Sequence, residues 1–187
     1  MTCAPSLTPP GTLAAFANDR GLPALTINLR GVGKSSGFPT VCGHSEVDDV
    51  VAAGELLEKA GFTHVLLVCS SAGASIGGSA LDRLPVFRAY VALGYVFGYA
   101  ASILFGGHYA AVLESKKPKL FVQGDRDEFT SASTLLEWAV PRSKSAVTES
   151  KILPGVSHFA LEGPDWDAFA AEESAAFAER VGAWTSS

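Results

Sequence analysis

Residues 65–73 read Val-Leu-Leu-Val-Cys-Ser-Ser-Ala-Gly, an apolar run that meets a group of small residues with no polar spacer between them. A short apolar run of this kind suits a strand covered on both faces, and the small residues that follow suit the opening turn of a helix. Ser71 stands on the sharp turn between the two. A serine there is lifted clear of its neighbours, with Cys69 and Gly73 as the small residues two positions to either side. Its hydroxyl lies beside the first amides of the helix, which is where a nucleophile would sit.

Outward from this turn the chain alternates apolar runs with helical periods. Strands are expected at 24–29, 63–69, 87–93, 119–123 and 149–153. The intervening helices imply parallel pairing, so the predicted fold is α/β, a three-layer αβα sandwich around a mainly parallel sheet. Ser45 with Asp48 reads as a capping pair opening a helix whose inner stripe is Val47, Val50, Val51, Gly54 and Leu57. A final helix is expected over 164–184, with Phe177, Val181 and Trp184 on one packed face. Two further turns carry chemistry. Gly-Asp-Arg-Asp at 124–127 follows the strand at 119–123, and Pro-Gly-Val-Ser-His-Phe at 154–159 follows the strand at 149–153.

Composition bounds the function without naming it. The chain has 187 residues, 48% of them hydrophobic, and one core of this size buries about 70% of the unfolded surface, so residues 1–187 are expected to form a single domain. A net charge of -5 with scattered Lys and Arg gives no basic field for nucleic acid. Three cysteines, at 3, 42 and 69, offer no disulfide framework and no paired metal spacing. They fit a reducing compartment, and with no basic region and apolar stretch at the N-terminus the expectation is cytoplasmic. No cofactor or metal is implied, and the oligomeric state is not legible.

The order serine, aspartate, histidine, each just past the end of a strand, resembles the α/β-hydrolase superfamily over roughly residue 11 to the C-terminus. Arg30-Gly31-Val32-Gly33-Lys34-Ser35 is also similar to the Arg-Gly-x-Gly-x-Ser turn found after the fourth strand of many such hydrolases. The resemblance implies Ser71 as nucleophile, His158 as general base and then acid, and Asp127 as the carboxylate that orients the imidazole. Asp127 is favoured over Asp125 because the fourth position of the similar Gly-x-x-Asp turn points back toward the histidine, whereas Asp125 suits a tie to backbone amides. The amide of Ala72 is implied as one oxyanion donor. The substrate implied is a small carboxylic ester or thioester, cleaved through an acyl-enzyme.

The resemblance also implies two or three strands before the first helix, with a His-Gly or His-Pro loop giving the second oxyanion amide. Here the helix is expected from about Gly11 and only residues 1–10 precede it. The chain therefore reads as lacking the usual N-terminal strands, with a second donor expected near Thr2 to Ala4 or from a partner chain. The alternative is a hydrolase fold that binds or scaffolds without catalysis.

Other patterns carry less. The literal Gly-x-Ser-x-Gly at 73–77 nominates Ser75, but Ser75 lies one helical turn past the strand end and suits close packing. Residues 94–114 are expected to form a lid-like connection in which Tyr95, Phe97, Tyr99, Phe105 and Tyr109 either wall a substrate pocket or pack as core, and His108 could contact substrate. The charge-free segment 89–113 is long enough for a membrane span, but a span there would part Ser71 from Asp127 and His158. Gly33-Lys34-Ser35 suggests a phosphate loop, yet position 28 is Asn28 where that loop carries glycine, and Pro39 interrupts the helix it needs.

Overall fold

The structure is a computed structural model and describes residues 21–97 and 107–183, together with Gly11 and Ala15. Its sheet contains β1 (Val65–Ser70), β2 (Phe87–Leu93), β3 (Lys119–Gly124) and β4 (Thr148–Leu153), all parallel and in the spatial order β1-β2-β3-β4. The helices are α1 (His44–Lys59), α2 (Ser71–Ala80), α3 (His108–Glu114), α4 (His158–Leu161) and α5 (Asp167–Arg180). A π-helical stretch, Thr134–Ala139, runs into the short helix Val140–Arg142 between β3 and β4.

Alternation along the strands divides the core between two faces. Tyr90, Ala92 and Phe121 turn toward α1, α2, α3 and the π-helical stretch, meeting Val50, Ala74, Val112 and Leu135. Ala89, Val91, Leu93, Leu120 and Val122 turn the other way, toward Leu161 of α4 and Ala170, Phe177 and Ala178 of α5. These are the three layers of an αβα sandwich. Phe87, Tyr90, Phe121 and Phe177 are fully buried, each contributing about 1.5–3 kcal/mol relative to an exposed side chain. Helix α1 reaches this core through Gly54, where a Cβ would come within 2.4 Å of the Phe87 ring.

Three expectations are corrected. Residues 24–29 form no strand: Asn28 alone makes a bridge, Leu25 is 49% exposed, and only Leu29 with part of Ile27 reaches the core. An apolar run becomes a strand only where a neighbouring ladder accepts it, and no described strand flanks this segment. Helix α1 begins at His44 with Gly43 as its left-handed cap, so Ser45 lies inside the first turn and Asp48 meets Arg83 at 3.4 Å instead of capping. The last helix is a 3-10 turn, Pro164–Trp166, followed by α5, which ends at Arg180; Trp184 lies outside the described residues.

Candidate active site

Helix α2 starts at Ser71, immediately after the last residue of β1. The reversal leaves Ser71 with a φ of 51°, the one positive value at a non-glycine residue among those described. Holding a serine in that region costs on the order of 1–3 kcal/mol and persists only where the surroundings demand it. Ser75 lies inside α2 and is buried, so the literal five-residue pattern presents no hydroxyl at the turn.

The turn after β4 brings His158 to Ser71. Gly155 N donates to Asp125 Oδ1 at 2.7 Å, tying this turn to the one after β3, and Ser157 caps α4 by accepting from Ala160 N at 3.3 Å. His158 Nε2 then lies 2.7 Å from Ser71 Oγ, and His158 Nδ1 lies 2.6 Å from Asp127 Oδ2. The other carboxylate oxygen of Asp127 accepts from the amides of Phe129 and Thr130 at 2.8 and 2.9 Å. These partners assign the tautomer: Nδ1 donates to the carboxylate, and Nε2 is left to accept from the serine. Burial works most strongly against a charge on Asp127, but the bond from His158 and the two amides outweigh it and hold the carboxyl below its ordinary range. The arrangement can draw a proton from Ser71 while a fixed negative charge steadies the imidazolium.

Three residues that hold this row were not singled out in the sequence. Gly94, just past β2, has a φ of 62°, and a Cβ there would sit 3.1 Å from His158 Cε1. Glu128 Oε2 accepts from the backbone amide of His158 at 3.1 Å, and Glu162, at the far end of α4, accepts from Ser70 Oγ at 2.6 Å. A glycine directly after an apolar strand was the available signal for Gly94. The two glutamates had none, because their partners lie 30 and 92 residues away.

Ala72, with the free amides of the first turn of α2 around it, borders a recess of ≈ 120 Å³. Leu29, Val32, Pro39, Val41 and Ile76 give it apolar walls, with Arg30, Thr40, Gly43 and Glu46 completing the lining. These walls are anchored. Arg30 donates to Asp49 from its backbone amide and its guanidinium, at 2.9 and 2.6 Å, and Thr40 bonds to the buried Glu46 carboxylate. The segment 31–37 turns through glycines with no helix after it until His44, so it cradles no phosphate.

The proposed pocket residues separate. Tyr95 and Phe97 are buried and stacked at 4.1 Å in the core against Phe121, away from the recess. His108 is buried at the start of α3, bonded to Ser79 Oγ at 2.6 Å and to the Cys42 carbonyl at 2.7 Å, so it braces the loop behind the recess. Tyr99, Phe105 and residues 1–10, with the second oxyanion donor expected there, lie outside the described residues, as does much of the lid-like segment 94–114. Among the described residues no helix is long and apolar enough to cross a membrane.

No family model matches the sequence, and no curated protein sequence matches it. Solved structures do. An α/β serine hydrolase homologue from Coxiella burnetii superposes with a TM-score of 0.64 at 24% identity, covering 87% of this chain and 76% of the other. An esterase from Pyrococcus furiosus gives 0.70 at 18% identity, over 90% and 74% of the two chains. A monoacylglycerol lipase from Paleococcus ferrophilus gives 0.67 at 17%, over 91% and 87%. The chain has the α/β-hydrolase fold.

Proposed function

We propose that the protein is a serine hydrolase that cleaves a carboxylic ester or thioester through an acyl-enzyme on Ser71. The observation that carries this reading is the unbroken row from Ser71 Oγ through His158 to Asp127, with the serine on a positive-φ turn at a helix N-terminus. The esterase and lipase among the structural neighbours support the same class of substrate.

Attack begins as Ser71 Oγ bonds to the carbonyl carbon and its proton passes to His158 Nε2. The electron pair of the carbonyl moves onto oxygen, where the Ala72 amide donates to it. As the pair returns, the bond to the leaving alcohol or thiol breaks and His158 gives that atom its proton. Water then repeats the sequence on the acyl-enzyme, losing a proton to His158, and Ser71 recovers its own. Ligand pockets usually measure about 300–1,000 Å³, so the ≈ 120 Å³ recess beside Ala72 supports a short acyl group.

Fluorophosphonate labelling of the purified protein tests the reading. Labelling is expected to map to Ser71, to vanish with ester turnover in Ser71→Ala, and to persist in Ser75→Ala. An unlabelled, inactive wild-type chain would favour a fold used for binding alone.

A further inference from the structure

The side of the site where the leaving group must depart is lined differently from the recess. In the proposed reaction His158 Nε2 hands its proton to the leaving oxygen, which must lie within hydrogen-bond reach of that nitrogen. The first carbons beyond that oxygen therefore lie against whatever surrounds the imidazole. Two phenyl rings do. Phe129 packs edge-on to His158 with ring centres 4.6 Å apart, Phe159 does so at 5.5 Å, and the two phenyls meet each other at 5.9 Å.

These rings cover the imidazole and remain open themselves. His158 is 1% exposed, whereas Phe129 and Phe159 are 52% and 57% exposed. Neighbouring aromatics left this open beside a reactive group mark a contact surface more than a core. Both are held in place, Phe129 by the hydrogen bond its backbone amide donates to the Asp127 carboxylate and Phe159 by its position in the helix that carries His158. A rigid aromatic surface binds without first having to be ordered. Charge narrows the choice of partner. Glu128, bonded to the His158 amide, precedes Phe129 in the turn after β3, and Glu162, bonded to Ser70, follows Phe159 by three residues at the end of α4, so each phenyl has a carboxylate close to it along the chain.

We propose that Phe129 and Phe159 form a leaving-group subsite that selects neutral, ring-bearing alcohols and disfavours anionic ones. This rests on the hydrolase reading and adds the side of the substrate that the recess does not address. The acyl group sits by Ala72, and the alcohol lies across the two phenyls.

The test holds the acyl group constant and varies the alcohol, comparing kcat/KM for benzyl, ethyl and 4-carboxybenzyl propionate. All three give the same acyl-enzyme, so differences report acylation and the leaving group alone. The wild type is expected to favour benzyl over ethyl by about tenfold, the scale of one aromatic contact, and to favour benzyl over 4-carboxybenzyl as well. Phe159→Ala should bring the benzyl-to-ethyl ratio close to one. Phe129→Leu, which keeps an apolar cover over His158, should lower the same ratio. A wild type that is labelled at Ser71 and turns over all three esters without preference would overturn the subsite and leave the hydrolase reading standing, as would a Phe159→Ala ratio equal to that of the wild type. An unlabelled wild type that hydrolyses none of the esters would overturn both.

Discussion

At the scale of single residues, the candidate site depends on what is missing from Gly94 as much as on what is present in its neighbours. Any side chain there would enter the space of the imidazole and also occupy the left-handed region at a φ of 62°. Gly94→Ala is therefore expected to displace His158 from Ser71 and lower ester turnover by about 10²-fold, the scale of a misplacement near 1 Å. Its thermal stability should fall only by about 1–2 kcal/mol, read from the melting temperature of the same sample. Asp127 governs the pH response. Its carboxyl titrates below its ordinary 3.8, so it stays ionised wherever the protein is usefully assayed. Loss of rate on mild acidification in a kcat/KM profile should then owe nothing to Asp127. The sign for stability runs the same way: the bond between Asp127 and His158 contributes fully above pH 3.8 and is lost only as pH falls through the lower folded value.

At the scale of elements, helix α4 is four residues long and cannot hold His158 by its own ladder. It is pinned at both ends, by Glu128 at the His158 amide and by the Ser70–Glu162 bond that ties its far end to the last residue of β1, next to Ser71. Glu162→Ala is expected to leave the buried Ser70 hydroxyl without its acceptor, destabilising by about 1–3 kcal/mol, and to lower kcat more than it raises KM. Glu162→Gln, which keeps an acceptor oxygen, should restore most of the kcat; equal losses in the two variants would remove the positioning role. The elements also show which parts of the sequence were readable. The strand at 87–93 was legible to both ends because a buried parallel strand is a nearly continuous apolar run, broken here only by the exposed Arg88. The turn at Ser71 was legible because strand, reversal and helix are contiguous. The run at 24–29 looked the same but has no described ladder beside it, and local composition holds no record of that. Glu128 and Glu162 were illegible for a related reason, since an exposed-looking glutamate acquires its meaning from a partner that only the fold brings near.

At the scale of the whole molecule, a buried lysine shapes the alkaline response. Lys119, at the start of β3, is fully buried with its ammonium donating to the carbonyls of Ser115 and Lys117 at 2.5 and 3.2 Å. Burial pushes it down to about 8 from 10.5. Between those values the unfolded chain holds a proton that the folded chain has released, so stability rises with pH across that window. Urea unfolding at pH 7.5 and 9.5 should show this rise in the wild type and a smaller one in Lys119→Met; an identical pH slope in the two would refute it. The division of the sheet into two apolar faces was legible from the strand runs, while this lysine, charged in composition and hidden in the fold, was not.

The order in which β1, β2, β3 and β4 stand side by side is also the order in which a ribosome makes them. Each new strand can dock on the edge left by the one before, so the sheet can grow as the chain emerges. Ser71, the proposed nucleophile, is made early, just past the first of these strands, while His158, its proposed base, arrives 87 residues later. In the proposed reaction a nascent chain would carry Ser71 through those 87 residues with no partner to take its proton, and would become reactive only once the last of these strands and the turn behind it are in place.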